Sequence, residues 1–158
     1  MERVVVLNEE VRGRRDPSTV VTKSNLANML PPTQARRLRL QLEVVEDRMG
    51  ELGLSPAPLQ ALNNLAETLW ALGELALARR LWTFVGATAG RAFGEDHPIA
   101  EHAIWSLVET DSRSHRWGAW KRRRAKGRDV SGIRDSARLV DYLFGGEWAD
   151  EDPPAPPG

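Results

Sequence analysis

The stretch "LNNLAETLWALGELALARRLW", Leu62 to Trp82, decides the fold. Leu62, Leu65, Ala66, Leu69 and Leu72 follow steps of three and four, and with Leu59 they mark one face of a helix entered through Pro56 and Pro58. Gly73 ends that pattern. Leu75, Ala78, Leu81, Val85 and Ala89 then resume it, which predicts a second helix stopping at Phe93-Gly94. Two amphipathic helices joined by one glycine turn make a hairpin. A lone hairpin buries one face against itself and leaves another apolar side uncovered, so the fold depends on whether the unit recurs.

It recurs on both sides. Asp16 to Leu30, "DPSTVVTKSNLANML", Ser55 to Leu69, "SPAPLQALNNLAETL", and Asp96 to Thr110, "DHPIAEHAIWSLVET", bring Pro17, Pro56 and Pro98 into register. Asn25-Leu26-Ala27, Asn64-Leu65-Ala66 and Ser106-Leu107-Val108 then align as well, with offsets of 39 (56 − 17 and 64 − 25) and 42 (98 − 56 and 106 − 64). Glu67-Thr68 returns as Glu109-Thr110 at the same offset of 42. Between these segments, Leu38, Leu42, Val45, Met49 and Leu52 predict a long helix closed by Gly53. Ile99, Ala103, Leu107 and Val108 predict another, capped by Asp96 with Pro98 in its first turn. No alternating strand pattern bounded by turn signals is present, so the predicted class is all-α.

The repeated elements "GEDHP" at 94–98, "LNNLAETLWALGELALARRL" at 62–81 and "NLA" at 25–27 resemble tetratricopeptide repeats of the longer, kinesin-light-chain type. The middle unit matches best. The first departs at "LPPTQARRL", where two prolines replace the hairpin glycine, and the third has His115 where Gly73 maps. The resemblance implies a right-handed α-solenoid of helical hairpins over residues 1–126, with units starting at about 16, 55 and 96 and the end of a preceding helix at 2–12. The chain therefore begins either with a truncated cap helix or inside a longer array. Ile133, Ala137, Val140, Leu143 and Phe144 predict a C-terminal capping helix within 127–145, and the acidic, Pro-rich tail 146–158 is expected to be disordered.

The resemblance also implies a concave groove lined by the first helix of each hairpin, with ligand-facing side chains beside the Leu-Ala pair. Carried to this sequence, those positions are Asn25 and Asn28, then Asn63, Asn64, Glu67 and Trp70, then Trp105 and Glu109. Asn amides offer donor and acceptor to a peptide backbone, and an exposed Trp offers contact area at low entropy cost. The same Asn side chains could equally bond neighbouring repeats, and the Trp rings could fill core. Ala27, Ala66 and Ala78 are expected at close helix crossings, with Leu26, Leu65 and Leu107 between them.

Lys121, Arg122, Arg123, Arg124, Lys126 and Arg128 form a basic run after Trp117 and Trp120. Such a run suits phosphates, an acidic protein segment, or simply a solvated helix end complementing the helix dipole. The 22 basic and 22 acidic residues cancel, so no whole-molecule field favours nucleic acid. Absence of Cys removes thiolate and disulfide chemistry. His97 and His102, five apart, do not stack on one helical face as a zinc helix requires, and no phosphate loop or nucleophile elbow is present. The sequence thus implies a non-enzymatic protein-interaction module, an adaptor or the sensing part of an assembly, with neither cofactor nor metal. A protein or peptide ligand or a second copy is the expected partner. Nucleic acid at the basic run, or service as accessory subunit of an enzyme, is the alternative. No apolar run approaches the roughly 18 residues needed to span a bilayer, giving a cytoplasmic expectation without membrane contact.

Overall fold

The computed structural model describes the backbone of residues 17–32, 34–124 and 130–145, and side chains over 19–32, 34–111 and 131–145. The predicted helix end at 2–12 and the tail 146–158 lie outside the described residues. Among the described residues six α-helices follow in order: α1 (Pro17–Met29), α2 (Ala35–Arg48), α3 (Ala57–Ala71), α4 (Leu75–Phe93), α5 (Pro98–Arg124) and α6 (Val130–Phe144). A 3-10 turn, Met49–Glu51, extends α2. Among the described residues there is no strand, and the chain is all-α.

Local chemistry sets the boundaries. Pro17 and Pro98 each open a helix, where a missing N–H costs nothing. At the end of α3, Gly73 takes φ 84°, a conformation that side chains with Cβ rarely adopt. Gly73 N–H donates to Trp70 O at 3.0 Å and Glu74 N–H to Leu69 O at 2.9 Å. This paired closure satisfies two end carbonyls and reverses the chain. The cap of α5 differs from expectation. It is His97, not Asp96, that bonds the helix start, its Nδ1 accepting from Ile99 N–H at 3.2 Å.

Packing is sequential: α1 meets α2, α2 meets α3, α3 meets α4, α4 meets α5, and α3 also meets α5. The predicted face of α3 is the centre of the core, with Leu59, Leu62, Leu65, Ala66, Leu69 and Leu72 all buried. Ala27, Ala66 and Ala78 are fully buried, as close crossings demand. On α2 more is buried than the single predicted stripe, including Leu40, Gln41 and Val44, because α1, α3 and α6 surround that helix. On α5 the stripe is shifted: Ala100, Ser106 and Thr110 are buried with Ala103, whereas Val108 is 66% exposed.

Two expectations about the C-terminal part change. The third unit has no turn near His115, since α5 runs unbroken from Pro98 to Arg124. Helix α6 packs against α4 and α2. Its Phe144 ring meets Phe84 edge-on at 6.1 Å, lies 4.9 Å from the Arg80 guanidinium, and Arg80 pairs with Asp141 at 3.3 Å. It covers the side built by α2 and α4, while Ile104 and Val108 of α5 stay exposed.

Two buried charges tie helices together. Lys23 of α1 has a fully buried side chain and pairs with Asp47 at 3.4 Å and Glu43 at 3.6 Å on α2. Arg79 of α4 donates to Leu107 O at 3.0 Å and Thr110 Oγ1 at 2.7 Å, and pairs with Asp111 at 2.9 Å on α5.

Candidate functional site

Direct contact between α3 and α5 creates a polar face. Successive turns of α3 present Gln60, Asn64 and Glu67, while α5 presents His102 and Trp105. Gln60 Nε2 donates to Asn64 Oδ1 at 3.1 Å, holding that amide along the helix. His102 Nε2 and Glu67 Oε1 lie 3.0 Å apart and bridge the two helices, each about half exposed. Trp105, one turn further along α5, is 61% exposed.

Arg37, at the start of α2, supports this face from behind. Its Nε donates to Thr68 Oγ1 at 3.0 Å and its Nη1 to Leu30 O at 2.7 Å. Burial pushes the guanidinium below its ordinary value, and the nearby Glu67 carboxylate pulls it back up. An arginine stays charged under both influences, so Glu67 sits between a fixed cation and an imidazole. Gln41 Nε2 donates to Asn64 O at 3.3 Å, and Thr68 Oγ1 donates to the same carbonyl at 3.3 Å. The α3 backbone beneath the face is therefore held from two directions.

The eight residues expected to face a ligand separate into three groups. Asn64 and Glu67 lie on α3, Glu67 bridged to His102 of α5, and Trp105 is exposed one turn from His102. Asn25 and Asn28 are exposed on α1, and Glu109 is half-buried on α5. Asn63 is a correction: only 5% exposed, it accepts the indole N–H of Trp82 at 3.0 Å inside the α3–α4 hairpin. Trp70 is half-buried and packs against the main core. Residue 63 faces the hairpin partner because it is one step, about 100°, round the helix from Asn64. In the basic run, Lys121, Arg122, Arg123 and Arg124 occupy the last turn of α5, with side chains outside the described part; Lys126 and Arg128 lie outside the described residues.

Sequence reasoning missed His102 and Arg37. The repeat register carried a usable signal, because His102 falls on the position of Gln60 at the offset of 42 (102 − 42 = 60). A polar side chain occupies that position in both units. Arg37 gave no such signal, since its role depends on the irregular turn after α1.

Among the described residues, no group of three or more His, Asp or Glu is placed to hold a metal ion. None of the described helices is long and apolar enough to cross a membrane. Two open grooves lie away from the polar face: one of about 490 Å³ between α4 and α5, and one of about 690 Å³ between α2 and α6. Compared with known protein families, curated proteins and solved structures, the chain matches none.

Proposed function

We propose that this chain is a tetratricopeptide-like α-solenoid segment whose α3–α5 face binds a peptide or a partner protein, as an adaptor or the sensing part of an assembly. The observation carrying this reading is Trp105, exposed at 61% one helical turn after His102, whose ring bridges to Glu67. A large aromatic kept in solvent next to fixed polar groups has the chemistry of an interface anchor. Asn64 and Glu67 supply acceptors for backbone N–H groups or a Lys or Arg of the ligand. Their supports, Gln60 and Arg37, reduce the ordering cost of binding. The chain acts through recognition, with no catalytic step of its own.

Selection of a random peptide display library on the immobilised full chain tests this directly. Peptides recovered should lose at least tenfold in affinity for Trp105→Ala and for Glu67→Ala, while Glu46→Ala, on α2, leaves binding unchanged. Failure to enrich any peptide, or equal binding by all three variants, overturns the reading. The nucleic-acid alternative predicts instead oligonucleotide binding with a log-log salt slope of about −4 to −5 for six phosphate contacts.

A further inference from the structure

Helix α5 leaves in solvent a face that the middle unit keeps covered. Glu101, Ile104, Trp105, Val108 and Asp111 follow steps of three and four, so they share one side of that helix over about 15 Å. All five are exposed. Moved back by the repeat offset of 42, the same positions are Leu59, Leu62, Asn63, Ala66 and Leu69 of α3, and every one of those is buried. Helix α4 packs on α3 there, with Trp82 bonding Asn63. On α5, the residues that meet α4 lie on a different side: Ala103 approaches Gly86, and Thr110 accepts from Arg79.

The exposed face differs from its buried counterpart in a pattern. Its centre is wholly apolar, since Ile104, Trp105 and Val108 stand where α3 has Leu62, Asn63 and Ala66. Its ends are acidic, with Glu101 and Asp111 in place of Leu59 and Leu69. Glu95 and Asp96, also exposed, extend the negative charge beyond Glu101. Asp111 pairs with Arg79 through Oδ1 at 2.9 Å, and a carboxylate has more acceptor sites than that bond uses.

We propose that this face binds a helical segment of a partner protein, about three turns long, with a central apolar stripe and a Lys or Arg at each end. The two acids, ten residues apart (111 − 101), fit two cations held at the same spacing on a facing helix. Size and charge decide against a second copy. A Trp buries about 150–250 Å². Three side chains half to two-thirds exposed therefore make a patch of a few hundred Å², well below the roughly 800 Å² per partner of a standard protein pair. A second copy laid on by the same face would also set acid against acid. The inference shares Trp105 with the peptide-binding reading and is independent of Asn64 and Glu67.

Fluorescence anisotropy with the full chain tests it, using a labelled, amidated helical peptide with Lys at both ends and three Leu spaced as Ile104, Trp105 and Val108. This peptide should bind with a micromolar Kd, and the same peptide with Glu at both ends at least tenfold more weakly. Val108→Asp should cost at least tenfold with the circular dichroism of the chain unchanged, because the side chain is in solvent. Glu101→Lys should narrow the gap between the two peptides at least threefold. Glu67→Ala should leave binding of the Lys-ended peptide within twofold, whereas library-selected peptides lose affinity for that variant if the α3–α5 reading holds, so the two ideas fail separately. No binding of the Lys-ended peptide, equal binding of both peptides, or binding that Val108→Asp leaves intact overturns the inference. So does a dimeric mass for the free chain in light scattering that Val108→Asp returns to 17.6 kDa, since a second copy then holds the face.

Discussion

The indole Nε1 of Trp82 donates to Asn63 Oδ1 across 3.0 Å, with both side chains buried inside the α3–α4 hairpin. That bond converts Asn63 from a ligand-facing residue into a latch between two helices. Asn63→Ala leaves a buried indole N–H without an acceptor, and a loss of about 1–3 kcal/mol in stability follows from that desolvation. Urea denaturation monitored by circular dichroism measures it. Affinity for a selected peptide, measured under conditions where the variant is folded, should stay within twofold of the parent chain.

Lys23 is a second latch, between α1 and α2. Its ammonium group has no exposure and faces the nearly buried Asp47 carboxylate at 3.4 Å. Lys23→Met removes one side of a buried pair and leaves the carboxylate dehydrated, at a cost of about 3–5 kcal/mol. Lys23→Met/Asp47→Leu should recover at least half of that loss, because two apolar side chains replace the pair. Denaturation midpoints of the two single variants and the double variant form the cycle that checks it. Additive losses would remove the coupling.

Ala66 tests the packing of the stack. It is fully buried on α3. Ala66→Leu introduces three carbons at a close crossing and should destabilise the fold by about 1–3 kcal/mol through strain. An unchanged midpoint would mean that the crossing has room, and the small-residue requirement would fall.

The legible parts of the fold are those set by short-range periodicity. Leu59 to Leu72 form the buried face of α3 because its chain neighbours α2 and α4, with α5, cover it, and glycines 53, 73 and 94 all adopt positive φ where helix ends were expected. Legibility fails where a second layer intervenes. Nothing near Leu42 or Val45 announces that α6 returns to α2, because that contact joins segments about a hundred residues apart in sequence. The turn expected at His115 fails for a different reason. Only the register asked for it, while "SRSHRWGAWKRRR" holds no proline and a single internal glycine, too little to break a helix. Of the polar face, Asn64, Glu67 and Trp105 were legible from repeat position alone. The Glu67–His102 bridge was not, since it depends on how far α3 and α5 approach one another.

The most direct measurement is the mapping of amide chemical shifts as a selected peptide is titrated into the isotope-labelled full chain. Perturbations should concentrate on Asn64, Glu67, His102 and Trp105, with the indole N–H of Trp105 moving and that of Trp82 still. Shifts confined to the α2–α6 side, or to the α4–α5 groove with the α3–α5 face silent, would contradict the assignment of that face as the binding surface.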